Sequence, residues 1–215
     1  ETADQLNESF DIIILPGSKN AIYDFSLIKE RKIAQKIKEL AEMGKIIIGI
    51  HSGFQMLGKS IKDLEQVESS YLKIEGLGLL DITTKMESKK YTQQVNKVLQ
   101  HCTGILEGFN GMKINGYEIH QGVTTGDDSF SVVEDGGFSL ICRDNIIGTY
   151  IHGIFDSPKF TRKLLNKIRA KKGLSPIFDF MSLETHKEKE YKRLAKVMRT
   201  HLDMDKICLL YTSDA

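Results

Sequence analysis

Residues 45–58 constrain the fold of this chain more than any other stretch. The β-branched run Ile46–Ile50 is typical of a strand that is buried on both faces. The chain then passes through Gly49 and Gly53 directly into a helical pattern. Glycines on both sides of a central residue allow a turn so sharp that the central side chain is presented at its apex. Enzymes place a nucleophile at such an apex, but here the apex residue is His51.

The N-terminal third of the chain predicts an α/β fold. Residues 10–15 form an apolar strand that ends in the turn-forming residues 16–20. Helical periodicity follows, with Gly44 as the residue that ends the helix; the periodic positions are Ile33, Ile37, Leu40 and Ala41. A strand, a helix and a second strand form a βαβ unit, so we expect the two strands to pair in parallel.

The middle of the chain has a different pattern of short strands separated by glycine turns. Residues 62–76 are polar and predict an irregular segment. We expect strands at residues 79–83, 91–99, 112–120 and 130–133. These strands predict antiparallel or mixed pairing, as an extension at the edge of the central sheet.

The C-terminal part predicts one more strand and two helices. Residues 146–151 form an apolar strand that ends at His152. Ser157 is positioned to cap a helix that has Pro158 in its first turn and ends at Gly173. The predicted buried face of this helix is formed by Phe160, Leu164 and Ile168. A last amphipathic helix is indicated by Leu194, Val197, Met198 and Leu202.

Composition excludes several classes of function. A net charge of +1 argues against a nucleic-acid-binding protein, which needs a basic excess to displace counterions. Apolar runs fall far short of the roughly 20 residues that cross a bilayer, which argues against a membrane protein. Cys102, Cys142 and Cys208 show no pairing pattern, which favours a reducing compartment and hence the cytoplasm.

Several residues are candidates for chemistry around the apex. His152 follows a predicted strand, where functional side chains gather in α/β sheets, and its imidazole is a candidate general base; the alternative is an ordinary loop histidine. Strand alternation places Glu118 and His120 on one face, either to bind a polar ligand or as a solvated surface. Backbone N–H groups at Gly17 are candidate oxyanion donors. Ser52 lies one residue beyond the apex, which argues against a serine hydrolase.

Other sites are not indicated by the sequence. The spacing of His, Cys, Asp and Glu residues predicts no metal site. The turn at residues 16–20 matches neither of two glycine-rich phosphate-binding motifs, which are G-x-x-x-x-G-K-[ST], and G-x-G-x-x-G before a helix.

Five ordered motifs together resemble one family, the glutamine amidotransferase domain of the cobyric acid synthases. They are residues 15–20 (LPGSKN), 49–58 (GIHSGFQMLG), 75–80 (EGLGLL), 116–122 (GYEIHQG) and 148–155 (GTYIHGIF). The resemblance covers about residues 10 to 205. It implies a flavodoxin-like class I amidotransferase fold, with a mostly parallel central sheet, flanking helices and additional antiparallel strands.

The resemblance also implies a function and its site. In the family this domain hydrolyses L-glutamine and passes ammonia to an N-terminal synthetase domain, which uses ATP and magnesium to amidate corrinoid carboxylates in cobalamin biosynthesis. The domain itself is expected to need no cofactor. A cysteine at the apex is the nucleophile of the family, and His152 corresponds to its base. Contacts to substrate or oxyanion are expected from Gly17, Ser52, Gln55, Glu118 and His120.

This sequence departs from the family at the apex. His51 replaces the cysteine, and Ser52 stands where the family usually has glycine. We therefore expect glutaminase activity to be impaired or absent. Two alternatives remain: a non-catalytic glutamine-binding or docking module of the synthetase, and a related amidotransferase that acts on a cell-wall precursor. Ile154 stands where other triad amidotransferases carry a glutamate, and the cobyric acid synthase family generally lacks that glutamate as well.

The domain boundaries are predicted from both ends of the chain. Residues 1–207 are expected to form the amidotransferase domain, as a piece of a longer chain that lacks its synthetase domain. Residues 208–215 do not continue the preceding helical pattern and are expected to be a non-native tail.

Overall fold

The first sheet is formed by apolar segments from the first 50 residues and from residues 140–149. A computed structural model describes residues 2–133, 137–179 and 183–212. The strands of this sheet are β1 (Ile12–Leu15), β2 (Ile46–Ile50), β7 (Leu140–Arg143) and β8 (Ile146–Thr149), in the order β1-β2-β8-β7. β2 pairs in parallel with both β1 and β8, which confirms the predicted βαβ unit. β7 pairs antiparallel with β8 and was not predicted.

Strand β2 is buried on both faces, as its apolar run predicts. Ile47 belongs to one hydrophobic cluster, which includes Phe25 and Phe54. Its neighbours Ile46 and Ile48 belong to a second cluster on the opposite face of the sheet. Because successive side chains of a strand point to opposite faces, β2 separates the two halves of the core.

Helices cover both faces of the first sheet. They are α1 (Ala21–Glu30), α2 (Ile33–Glu42), the short α3 (Ser52–Leu57) and α4 (Pro158–Lys171). Helix α2 is followed by Gly44 at a φ of +79°, as predicted for the residue that ends it. Ser157 caps α4 by accepting a hydrogen bond from the Phe160 amide, and the predicted apolar face of α4 is buried. Helix α1 was not predicted.

The middle of the chain forms a separate second sheet, so the predicted edge extension of the first sheet is wrong. Its strands are β3 (Ser60–Lys62), β4 (Lys73–Glu75), β5 (Ile82–Val98) and β6 (Lys113–Gly126), in the order β4-β3-β5-β6. β5 and β6 form one long antiparallel hairpin with an irregularity between Met86 and Tyr91. Residues 62–76, expected to be irregular, contain β4, and residues 130–133 make only isolated bridges.

The two sheets are joined next to the end of β8. Tyr117 of β6 and His152 form an antiparallel bridge, in which each amide donates to the carbonyl of the other residue. A hydroxyl chain adds to this connection, because Tyr150 contacts Thr124 of β6 at 2.5 Å and Thr124 contacts Thr84 of β5 at 2.8 Å. The predicted site residue His152 therefore lies at the junction of both sheets.

The C-terminal region is helical and exposes its apolar side chains. Helices α5 (Leu183–His201) and α6 (Met204–Thr212) follow α4. The predicted amphipathic positions Leu194, Val197 and Met198 lie on α5 but are exposed. Within the described ranges, none of the helices has the length and apolar content that crossing a bilayer requires. The assignment of residues 208–215 as a non-native tail stays a prediction.

Candidate active site

The turn between β2 and α3 has the sharp geometry that its glycines predict. His51 is held at φ +55° and ψ −116°, outside the regions that non-glycine residues prefer. A Cβ atom on Gly53 would lie 1.9 Å from the Leu15 carbonyl oxygen, and one on Gly49 would lie 2.5 Å from the Gly53 carbonyl oxygen. Only glycine allows the helix to approach β1 this closely, so the backbone of the apex is fixed by packing.

The apex opens into a cavity of about 820 Å³, which we call the apex cavity. Its walls come from the turn after β1, from the apex itself, from residues 67–68, from β5 and β6, and from His152 beyond the end of β8. They include Gly17, Ser18, His51, Glu68, His120 and His152. The structure thus brings together four of the seven residues predicted for the site: Gly17, His51, His120 and His152.

The histidines of the apex cavity are arranged by aromatic contacts. The His51 and His152 ring centroids lie 5.5 Å apart, and the two rings are tilted by 47°. The Tyr117 ring stacks on His152 at 4.9 Å with an interplanar angle of 7°. His120 stacks on Tyr150 at 3.9 Å, and its Nδ1 lies 2.8 Å from the Gly122 carbonyl oxygen. Tyr117 and Tyr150 therefore fix the orientation of two imidazoles.

Neither tyrosine was predicted as a site residue. Tyr150 lies two residues before His152, so strand alternation places both on one face and was the signal that could have found it. Tyr117 was assigned to the opposite face from His120, and its stacking depends on the bridge between the sheets, which no local pattern reveals.

All three histidines of the apex cavity are neutral at neutral pH. Burial lowers the pKa of His51 to about 4, with further lowering by the nearby His152 and His120 and an opposing hydrogen bond to the Ile119 backbone. Burial also lowers the pKa of His120 and of His152. Within the described part of the chain, His152 Nε2 is buried and has no hydrogen-bond partner. A neutral imidazole with a free ring nitrogen is what a general base requires.

The low pKa of His51 predicts a pH dependence of stability. Between pH 4 and 6.5 the unfolded chain binds a proton at this residue that the folded chain does not, so the free energy of unfolding should rise with pH across this range. Thermal unfolding from about pH 5 to about pH 7 measures this slope. We expect His51→Asn to reduce the slope, while His120 and His152 preserve part of it. Equal slopes for both proteins would contradict the buried neutral state of His51.

The Ser52 side chain ties the apex to the turn after β1. Ser52 is buried, and its Oγ accepts a hydrogen bond from the Ser18 amide at 2.5 Å and contacts the Ser18 carbonyl oxygen at 3.3 Å. The His51 side chain packs on the same turn, because a Cβ atom on Gly17 would lie 3.3 Å from His51 Cβ. An amide of the turn that was expected to supply oxyanion donors is therefore already occupied by this chain's own serine.

The other three predicted residues do not line the apex cavity. Ser52 and Gln55 are buried beneath it, and Gln55 Nε2 lies 3.4 Å from the Tyr150 hydroxyl. Glu118 is buried and lines a neighbouring cavity of about 370 Å³, to which His120 also contributes. Glu118 and His120 therefore share this neighbouring cavity, as their predicted common face implies, and His120 lines the apex cavity as well. Their predicted roles stay predictions.

The two cysteine thiols of the core are poorly suited to act as a nucleophile. Cys102 and Cys142 lie in the hydrophobic cluster that also contains Ile46 and Ile48. Burial raises the pKa of each thiol to about 11. A thiol with so high a pKa is a poor nucleophile at neutral pH because the thiolate is the reactive form.

Solved structures with the same fold define the class. A crystal structure of glutamine amidotransferase aligns with a TM-score of 0.54 at 15% identity, covering 80% of this chain and 84% of that chain. The structure of PurLQS from Thermotoga maritima aligns with a TM-score of 0.53 at 22% identity, covering 77% of this chain and 82% of that chain. The chain has the α/β fold of the class I glutamine amidotransferases.

Sequence relatives narrow this class to a family. Residues 1–160 match the CobB/CobQ-like glutamine amidotransferase domain, and the chain belongs to that family. Cobyric acid synthase from Thermoanaerobacter sp. (strain X514) is 40% identical over 92% of this chain and 41% of its own length. Cobyric acid synthase from Thermodesulfovibrio yellowstonii is 42% identical over 93% of this chain and 40% of its own length. The chain thus spans about two fifths of the length of these relatives.

Proposed function

We propose that this chain is the glutamine amidotransferase domain of a cobyric acid synthase in which the glutaminase reaction is impaired. The similarity to cobyric acid synthases over 92% of the chain supports a place in cobalamin biosynthesis. The other part of such a protein would be an N-terminal synthetase domain that uses ATP and magnesium to amidate corrinoid carboxylates. The protein would act in the cytoplasm.

The observation that carries this proposal is the geometry of the apex cavity. A sharp strand-to-helix turn presents residue 51, and the neutral His152 lies beside it. With cysteine at the apex, the imidazole would take the thiol proton, and sulfur would attack the glutamine carboxamide carbon. The tetrahedral oxyanion collapses as the amide nitrogen takes that proton and leaves as ammonia. Water then cleaves the γ-glutamyl thioester to glutamate and restores the thiol.

His51 interrupts this sequence at its first step. An imidazole has no thiol, so the thioester does not form. Loss of the nucleophile removes most of the chemical rate enhancement while groups that bind substrate stay in place. The His51 ring, packed against Gly17, and the occupied Ser18 amide favour a second candidate function, a non-catalytic module that binds glutamine or docks on the synthetase part.

Binding and hydrolysis of glutamine can be measured separately on the unaltered chain. We expect calorimetry to show binding of L-glutamine and a coupled assay to show no ammonia release above background, because the cavity persists without its nucleophile. L-norleucine, which lacks the carboxamide, is the matched control ligand and should bind more weakly. Rapid ammonia release would contradict the proposed impairment. Absence of binding would instead favour the docking module.

A further inference from the structure

A second cavity, which we call the Glu118 cavity, lies against the apex cavity. It has a volume of about 370 Å³ and is formed by β5, β6 and the segment that precedes β7. His120 and Gln121 line both cavities. Its walls also include Glu118, Gln93 and Ser139. The space is large enough for a small molecule and is separate from the nucleophile position.

Glu118 has an unsatisfied carboxylate oxygen in this wall. The residue is 3% exposed. Its Oε2 accepts a hydrogen bond from Gln93 Nε2 at 2.9 Å, whereas its Oε1 is buried and has no hydrogen-bond partner among the residues that the structure describes. A buried carboxylate oxygen without a donor costs free energy that is normally offset by a partner or a bound group.

Glu118 lies among polar and charged side chains, and the lysines Lys89 and Lys97 also line its cavity. His120 and His152 feel its charge, but burial lowers the pKa of both, so they carry no compensating charge at neutral pH. The hydroxyls of Thr124 and Tyr150 are 2.5 Å apart and are engaged with each other. The unmet requirement at Oε1 is thus for a group that donates a hydrogen bond, and an ammonium group meets it with a charge-assisted bond to the carboxylate.

We propose that the Glu118 cavity binds a protonated amine, whose ammonium group donates a hydrogen bond to Glu118 Oε1. The ammonium group can come from two sources, a free ammonium ion or the α-amino end of a small amino acid. Lys89 and Lys97 also line the cavity, and they would attract the carboxylate of an amino acid but repel a free ammonium ion. The site is independent of the apex nucleophile.

The test follows the Glu118 carboxyl signal by NMR in the full, isotope-labelled chain. Ammonium chloride is added first, and tetramethylammonium chloride at equal concentration is the control, because it has the same charge and no hydrogen to donate. We expect a saturable shift of the Glu118 signal and of the His120 and Gln93 amides with ammonium alone. Equal shifts with both salts, or no shift of the Glu118 signal with either ammonium or glycine, would overturn the proposal.

Variants identify the residue and the source. Glu118→Gln should abolish the saturable response, whereas Glu65→Gln, an exposed carboxylate elsewhere, should preserve it. A response that persists in folded Glu118→Gln overturns the proposal; if that variant does not fold, the carboxyl measurement on the unaltered chain decides. Glycine is the second ligand. If glycine binds more tightly than ammonium and Lys89→Ala weakens its binding, the site is assigned to an amino acid. If ammonium binds more tightly than glycine, the site is assigned to the ammonium ion.

The outcome is separable from the glutaminase proposal. Binding at Glu118 is read at the Glu118 signal without any turnover, and glutamine hydrolysis is read as ammonia release. A chain that binds no glutamine can still show the ammonium response, and a chain that binds glutamine can lack it.

Discussion

The double variant His51→Cys/Ser52→Gly should hydrolyse glutamine at least about 10³-fold faster than the unaltered chain, because it restores the nucleophile on an intact frame. The apex backbone, the cavity and the neutral His152 are all in place. The double variant would add the thiol and would also free the Ser18 amide from the Ser52 hydroxyl. Ammonia release measured in a coupled assay reports the gain.

The separate contributions of the two substitutions follow from the hydrogen bond between Ser52 and Ser18. His51→Cys alone should recover less activity than the double variant, since the Ser52 hydroxyl still occupies the Ser18 amide. Losing one oxyanion donor costs about 10²–10³-fold in rate, which bounds the difference between the two variants. Adding His152→Ala to the double variant should remove the recovered activity. A double variant as inactive as the unaltered chain, yet folded, would show that the site fails for a reason other than residues 51 and 52.

Gly53→Ala should destabilise the fold by more than about 4 kcal/mol, the range of exceptional single substitutions. The new Cβ would lie 1.9 Å from the Leu15 carbonyl oxygen and 2.9 Å from Leu15 Cβ, so β1 and α3 would have to separate. Both elements pack in the same hydrophobic cluster, and a displacement there disrupts the core. Denaturant unfolding of the purified variant measures the loss.

Gly44→Ala is the matched control for this prediction. Gly44 has a positive φ of +79°, but a Cβ atom there meets nothing within 4 Å. Its replacement should therefore cost only the conformational penalty of about 1–2 kcal/mol. If both variants lost the same stability, the close approach at Gly53 would not be what holds the apex in place.

The elements that the sequence predicted well are those whose apolar pattern reflects burial. β2 is an unbroken apolar run because it is buried on both faces, and α4 shows a helical stripe because one face is buried. The β5–β6 hairpin was predicted as shorter pieces because much of β5 is exposed and charged, as at Lys89 and Lys90. Its strands are continuous through backbone pairing, which side-chain patterns do not report.

For the candidate site too, local patterns predicted the positions of residues but not the contacts between distant segments. The position of His51 followed from local turn chemistry, and that of His152 from the end of a strand. The Ser52–Ser18 hydrogen bond and the location of Glu118 in a second cavity were not predictable, because they depend on distances between segments far apart in the sequence. A resemblance to a family supplies roles for residues, but it does not supply the contacts that a substituted residue makes.

Because the bridge between Tyr117 and His152 joins the two sheets, the width of the apex cavity depends on how the sheets are held together. His51 follows a strand of the first sheet, and His120 lies on a strand of the second sheet. His152 is the residue at which the two sheets are joined. The Tyr150–Thr124 contact is a second connection to the same hairpin, so both connections together set the position of His120 relative to His51.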